Sequence, residues 1–268
     1  MIDYKQNKQN MYLIIDSGSM LYSATNGNKV LDESGNPIKE NNKFVYIDKT
    51  FEEVKHHLDN ILIQLFLSTQ ATHYIGFLDY NSIGSKRKAI DLRYKSKRID
   101  KPAPLWIKEA KEYLFTDWNF HKVVDGWEAD DYCKFHMEYY KELHPILITV
   151  DKDLKYSEGI VQDAKTNTIQ INTKFDEHLQ LCNQMICGDE DLPGIRGKGK
   201  AFCEKLFADA KEDELLKLVF QEFIDAHGYY KGSIEYFKHF YCLYIRKYPD
   251  DFESQYSIKN WNTVPGTT

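Results

Sequence analysis

Short apolar runs that stop at an acid punctuate the chain. Residues 11–15 (MYLII) close at Asp16, His73–Leu78 closes at Asp79, and residues 145–150 (PILITV) close at Asp151. Uninterrupted runs of this length predict buried strands. Between them, Val54, Leu58, Ile61, Leu62, Leu65 and Phe66 recur at helical spacing and predict a helix over Phe51–Thr69. Further helices are predicted over 104–118, 128–143 and 176–187, and then near 200–208, 211–226 and 233–246. Residues 123–124 predict a brief strand, and 159–172 a hairpin turning near Asn167. Ser17 or Ser19 is placed to cap the helix that follows the first strand. Gly27, Gly35 and Pro37 break the stretch 27–48 into loops and weak strands, and the last dozen residues read as frayed. Strands alternating with helices predict an α/β fold with a largely parallel sheet. Such sheets bind ligands at the carboxyl ends of their strands, so Asp16, Asp79 and Asp151 are expected to converge.

The composition permits this. Of 268 residues, 42% are apolar and 28% charged, enough for one large domain or a domain with a smaller appendage. No segment reaches the ~18–20 apolar residues of a membrane span. The polar start MIDYKQNKQN is followed by no apolar signal core, so export is not expected and the expected location is cytoplasmic. The five cysteines (133, 182, 187, 203 and 242) are odd in number, and none form CxxC pairs. They read as reduced thiols rather than a disulfide framework or a zinc cluster. His56 and His57 fall on an amphipathic helix and read as surface. A net charge of −6 argues, as an average, against a nucleic-acid partner. The signs are segregated, however: Lys86 to Lys101 holds eight bases and only two acids, Asp91 and Asp100.

The acids form their own pattern. Beside Asp16, Asp79 and Asp151 stand Glu128, Asp130 and Asp131 (EADD), at the start of a predicted helix whose dipole offsets part of their charge. Asp153 follows Asp151 in DxD, and Asp189 precedes a glycine-rich turn. Taken one by one, such acids are equally well caps or solvated loop residues. Taken together they cannot share a site as bare anions, because like charges raise each other's pKa unless a cation intervenes. Oxygen ligands without His or Cys favour Mg²⁺ or Mn²⁺ over zinc. This many acids would serve two ions, roughly 3.5–4 Å apart, suited to in-line attack on a phosphodiester.

Residues 85–101 (SKRKAIDLRYKSKRIDK) directly follow Asp79. Lys86, Arg87, Lys95 and Arg98 could neutralise phosphates and Tyr94 could stack on a base; a solvated basic loop has the same composition. GIRGKG over 194–199 fails as a Walker loop, since Lys198 is followed by Gly199, and no βαβ unit encloses it as a Rossmann fingerprint. A glycine turn between helices gripping a duplex backbone fits better, through Gly194, Gly197, Lys198, Gly199 and Lys200. An ordinary interhelical loop is the alternative.

In this order the motifs resemble the flap endonuclease and 5′–3′ exonuclease family, particularly the compact phage-encoded 5′ nucleases. The resemblance runs over about residues 11–210: LIIDSGSMLY around Asp16, FLD at Asp79, then Arg87, Tyr94 with Lys95, and Arg98 in the arch pattern. GWEADD, ITVDKDL and ICGDEDLPGIRGKGKA follow. It implies a PIN-like core with a mostly parallel sheet flanked by helices, a helical arch over 81–103, a catalytic domain over 11–187 and a helix–hairpin–helix DNA-binding region over 188–268. It further implies a Mg²⁺-dependent hydrolase, with Mn²⁺ able to substitute, acting on DNA at a 5′ flap, nick or free 5′ end and removing RNA primers from RNA–DNA hybrids, as a monomer. Asp16, Asp79, Glu128 and Asp130 would hold one metal with Asp131 adjoining, and Asp151, Asp153 and Asp189 a second. Arg87 and Lys95 would meet the scissile phosphate, Tyr94 would stack near the 5′ base, and K⁺ would sit at the glycine turn. Family members usually carry two more residues between GD and PG, which sets two Asp three apart. Here GDEDLPG leaves Asp191 as the candidate for the second. The competing readings are a branched-DNA-binding protein whose second metal site is weakened, and a PIN-like RNase.

Overall fold

The computed structural model describes residues 10–79, 85–98, 103–124, 126–245 and 261–266. The first described elements are β1 (Tyr12–Asp16) and α1 (Gly18–Thr25). The short strands β2 (Asn28–Lys29), β3 (Lys39–Glu40), β4 (Lys43–Phe44) and β5 (Tyr46–Ile47) follow and pair as β2–β5 and β3–β4. Next come α2 (Phe51–Thr69), β6 (His73–Leu78), α3 (Ser85–Ile90), α4 (Ile107–Thr116), β7 (His121–Lys122), α5 (Ala129–Tyr139) and β8 (Ile146–Thr149). The hairpin of β9 (Gly159–Asp163) and β10 (Ile169–Asn172) leads to α6 (Lys174–Cys187), α7 (Lys200–Leu206), α8 (Glu212–His227), α9 (Tyr229–Leu243) and finally β11 (Asn262–Thr263).

The sheet runs β10-β9-β8-β1-β6-β11, with β7 beside the far end of β6. The ladders from β9 through β8, β1 and β6 to β7 are parallel, and the two edge strands β10 and β11 are antiparallel. Side chains alternate across a strand, so β1 feeds two cores. Leu13 and Ile15 pack with Leu21, Leu58, Leu62 and Leu114 of α1, α2 and α4, while Ile14 packs with Tyr132 and Cys133 of α5. A third core joins α6 to α9 and includes Tyr94. Gly76 of β6 leaves room for the Phe120 ring, which a Cβ there would meet at 2.4 Å. Helix α2 starts on a reciprocal cap: the Glu53 amide donates to Thr50 Oγ1 at 3.3 Å and the Thr50 amide to Glu53 Oε2 at 2.7 Å. Among the described residues no helix is long and apolar enough to cross a membrane.

Several local expectations shift. The brief strand is His121–Lys122, not 123–124, because the ladder pairs Phe77 with His121 and Leu78 with Lys122. Val123 instead buries its side chain beside α5. Ser17 holds the N-cap position of α1 without capping it; its hydroxyl donates to the Phe77 carbonyl at 2.5 Å and ties β1 to β6. The helix predicted over 128–143 stops at Tyr139, and a single 3₁₀ turn over Lys141–Leu143 ends at His144 in the left-handed region. Helix α6 begins at Lys174, two residues early, on a Thr173–Asp176 cap. Helix α9 begins at Tyr229, before residue 233, and Gly232 in its first turn lets it approach α8: a Cβ there would lie 2.5 Å from the Phe223 carbonyl oxygen. Residue 246, the predicted end of that helix, lies outside the described residues, as do 81–84 and 99–102 of the arch. Of the last dozen residues, expected to be frayed, 257–260 and 267–268 lie outside the described residues, while 261–266 are ordered against the sheet. β11 pairs with β6, and the Trp261 ring packs 5.6 Å from Tyr12 and 5.3 Å from Tyr140.

Asp163 fixes the β9–β10 turn, accepting from the amides of Lys165 (2.8 Å) and Thr166 (3.0 Å) and pairing with Lys155. The Lys155 contact and these amides push its carboxyl down to about 2. A depressed carboxyl stabilises above its unfolded value and loses that contribution as pH falls toward 2. Asp163→Ala is expected to cost about 1 kcal/mol near neutral pH, solvent screening holding it to the low end. Urea titrations should show the gap closing as pH falls toward 2; a pH-independent gap would remove the charge from the explanation.

Candidate metal and nucleic-acid site

The strand order puts β8, β1 and β6 side by side, so the acids that end or follow them, Asp151, Asp16 and Asp79, form a row along one edge of the sheet. Asp16 is 9% exposed. Its Oδ1 accepts the Gly18 amide at 3.1 Å and its Oδ2 the Thr149 hydroxyl at 2.9 Å. Burial first, then Asp151, pushes its carboxyl up to about 6, despite those hydrogen bonds. The Asp79 Oδ1 accepts the Ala129 amide at 2.6 Å, tying β6 to the start of α5. Desolvation and then Glu128 outweigh that bond and raise Asp79.

On the other side, Asp151 Oδ1 accepts the Asp153 amide at 2.8 Å, and the Gln184 side chain of α6 donates to Asp153. Burial, then Asp151, pushes Asp153 up to about 6, with Asp189 adding to the repulsion. Asp189 accepts the amides of Asp191 (2.7 Å) and Leu192 (2.9 Å) and meets Lys152 at 3.2 Å. Asp191 is buried in the same loop. The mutual repulsions thus join Asp189, Asp153, Asp151, Asp16, Asp79 and Glu128 into one acidic strip.

The basic segment folds onto one end of the strip. Arg87, 5% exposed, forks between acids: Nη1 lies 2.6 Å from Glu128 Oε2 and 3.4 Å from Asp130 Oδ2, and Nη2 lies 2.6 Å from Asp131 Oδ1. The Lys95 ammonium lies 2.8 Å from the same Glu128 oxygen. Lys95 has φ +51°, a left-handed backbone uncommon for lysine, and its amide donates to the Asp191 carbonyl at 3.0 Å. Burial opposes the charge of both bases, but the surrounding carboxylates outweigh it. Burial would raise Glu128 as well, but Arg87 and Lys95 bring it below its ordinary value, whereas Asp130 is raised well above.

Tyr94 is 3% exposed, packed in the helical core with its hydroxyl 3.1 Å from Arg87 and 3.2 Å from Glu128. In this arrangement it offers no face to a base. Lys86 lies over the Trp127 ring at 4.2 Å. Arg98 ends the 3₁₀ turn Ser96–Arg98, and its side chain lies outside the described part.

The glycine turn stands at the Asp189 end. Gly188 has φ +70°, and Gly194 packs so closely that a Cβ would lie 2.2 Å from the Gly188 nitrogen. Gly197 (φ +83°) and Gly199 have open space where a Cβ would project. Lys198 pairs with Glu222 and lies over Phe202, while Lys200 stays exposed near Glu204 at 3.9 Å. Thr149 and Gln184, which position Asp16 and Asp153, carried no signal in the sequence: both are common residues on a predicted strand and helix, and only the packing aims them.

The donor set is chemically that of a hard divalent cation: all oxygen, with burial first and neighbouring carboxylates second raising Asp16 and Asp153. Among the described residues no three such groups stand together to grip an ion as they are; Arg87 and Lys95 supply the positive charge at the Glu128 end.

No family model matches the chain, and no curated protein does. Solved structures do. The T5 D15 protein co-crystallised with metal ions is 16% identical with a TM-score of 0.59, over 87% of this chain and 89% of that one. A bacteriophage T5 flap endonuclease, in a pseudo-enzyme–product complex with DNA and metal ions, is 15% identical with a TM-score of 0.54, over 87% and 99%. The chain therefore shares the fold of these two structures, a mostly parallel sheet flanked by helices, which is the fold class expected from its motifs.

Proposed function

We propose that the protein is a Mg²⁺-dependent, structure-specific 5′ nuclease that hydrolyses DNA phosphodiesters near free 5′ ends. The observation that carries this reading is the continuous acidic strip along the ends of β8, β1 and β6, with Arg87 and Lys95 lying directly on it. The likeness in fold to a flap endonuclease solved with DNA and metal ions supports it.

Asp16, Asp79, Glu128 and Asp130, with Asp131 adjoining, would hold one Mg²⁺, and Asp151, Asp153 and Asp189, with Asp191, the other. Mn²⁺ would serve in their place. When bound, such ions ease deprotonation of the attacking water and neutralise phosphate charge. The chain's own part is arrangement. Thr149 and the Gly18 amide orient Asp16, the Ala129 amide orients Asp79, and Gln184 orients Asp153. Arg87 and Lys95, charged at any working pH, would exchange carboxylate partners for phosphate oxygens and stabilise the charge that develops there. Gly194, Gly197, Lys198, Gly199 and Lys200 would hold the duplex backbone in a helix–hairpin–helix arrangement, with K⁺ among the carbonyls of the turn. Lys86 and Arg98 would guide the 5′ strand. The substrates would be 5′ flaps, nicks and RNA–DNA hybrids at primers.

The test is an end-labelled 5′-flap duplex incubated with Mg²⁺ and again with chelator. Cleavage near the junction that chelator abolishes is the expected result. Tight binding with no cleavage at any Mg²⁺ or Mn²⁺ concentration would instead identify a branched-DNA binder. Cleavage of single-stranded RNA in preference to the flap would identify an RNase.

A further inference from the structure

The last residue of α6 and the fourth of α7 carry thiols in contact: Cys187 Sγ lies 3.3 Å from Cys203 Sγ. Bonded sulfurs sit about 2.05 Å apart, so the bond needs only about 1 Å of approach. The two thiols differ in access. Cys187 is half-buried at the surface cavity of about 460 Å³ formed by the glycine turn, whereas Cys203 is 1% exposed. Burial pushes the Cys203 thiol up to about 12, so Cys187 is the thiol that a soluble reagent meets first. Cys182, also buried, lies in the same core.

The pair straddles the glycine turn. On the α6 side the turn is pinned: the Ile195 amide donates to the Ile186 carbonyl at 2.8 Å, and the buried His239 ring meets the Pro193 carbonyl at 2.8 Å. On the α7 side, Gly197 and Gly199 have open space where a Cβ would project. The Lys198 amide donates to the Ile195 carbonyl at 3.1 Å and its side chain pairs with Glu222, so a bond between the sulfurs would draw α6 and α7 together and change the spacing of the two halves of the turn.

We infer that Cys187 and Cys203 form a reversible disulfide that staples α6 to α7 across the glycine turn and retunes it. The oxidant belongs to the class of low-molecular-weight disulfides. The Cys187 thiolate attacks one sulfur of glutathione disulfide, forming a mixed disulfide and releasing one glutathione thiolate, which takes up a proton. Cys203 gives its proton to solvent, attacks Cys187 Sγ and releases the second glutathione. Two protein thiols are oxidised and one glutathione disulfide is reduced to two thiols. Disulfides of this kind in reducing compartments are transient and redox-sensing. The bond itself is independent of the proposed function; its effect on duplex binding rests on that reading.

The test treats the purified full chain with glutathione disulfide, blocks the remaining thiols and maps the peptides by mass. A linked Cys187–Cys203 peptide is expected in the wild type and in Cys182→Ser, reversed by dithiothreitol and missing from Cys187→Ser and Cys203→Ala. The oxidised protein should bind duplex DNA about threefold to tenfold more weakly than the reduced protein, up to one decade in Kd, with Cys187→Ser indifferent to oxidation. Glutathione retained on Cys187 with Cys203 still alkylatable would overturn the inference. So would a linked protein whose duplex affinity equals that of the reduced form. Failure of the reduced wild type to bind duplex at all would overturn the DNA reading of the turn, while the peptide map still decides the bond.

Discussion

Asp153→Asn is expected to lower flap cleavage by roughly a hundred- to thousandfold, the scale for removing one group that stabilises developing charge, while the Kd for flap DNA stays within about tenfold, or 1.4 kcal/mol. Asparagine keeps the shape and the oxygen that accepts from Gln184. What it removes is a charge that burial and Asp151 already push up to about 6. The metal-free fold should therefore lose nothing and gain from the relief of that repulsion. The decisive measurement pairs single-turnover cleavage with a thermal melt in chelator. Wild-type turnover in a well-folded variant would reject Asp153 as a ligand. Lost turnover together with a large fall in melting temperature would make it a structural residue.

Arg87→Ala should be costly to the fold itself. The guanidinium sits between Glu128, Asp130 and Asp131, and all four groups are largely withdrawn from water. Removing one partner of a buried ionic cluster leaves the others uncompensated, typically at about 3–5 kcal/mol. Lysine cannot reproduce the fork that reaches Glu128 and Asp131 at once, so Arg87→Lys should fall between. The same carboxylates are assigned to Mg²⁺, so the ion and the guanidinium are rival counter-charges. Adding Mg²⁺ should then raise the melting temperature of the alanine variant by more than that of the wild type. Chemical denaturation with and without Mg²⁺ reads both effects. A loss under about 1 kcal/mol, or equal Mg²⁺ shifts in the two proteins, would show that the cluster is neither buried in the way described nor shared with the metal.

These two outcomes address opposite ends of one strip, and they explain why some of the site was readable beforehand. An acid at the end of an apolar run is a local feature, so Asp16, Asp79 and Asp151 could be singled out one at a time. EADD and DxD are likewise contiguous. Tyr94 shows the limit. An aromatic among bases reads as a stacking platform, yet it is packed with Leu181, Leu192 and Phe223, residues far along the chain whose approach no local pattern encodes. Lys95 reads as a phosphate contact from its place among bases, but nothing local encodes its left-handed backbone or its bond to the Asp191 carbonyl, 96 positions along the chain. The pairing of β11 with β6 was unreadable for a similar reason: a two-residue strand has no periodicity, and it is held by the burial of Trp261 beside Tyr12 and Tyr140.

By itself the sequence determined the alternation of strands and helices, the acids that cap the strands, the run of bases after Asp79 and the glycine turn. Each of these is set by side chains adjacent along the chain or one helical turn apart, where periodicity and turn chemistry act directly. Only the tertiary structure decided that β8, β1 and β6 lie side by side, that Arg87 reaches Asp131 across 44 positions and Thr149 reaches Asp16 across 133, and that two thiols meet across the turn. Those contacts form because burying the apolar faces of distant elements fixes which polar ends come together, and that choice is made by the packing of the whole core.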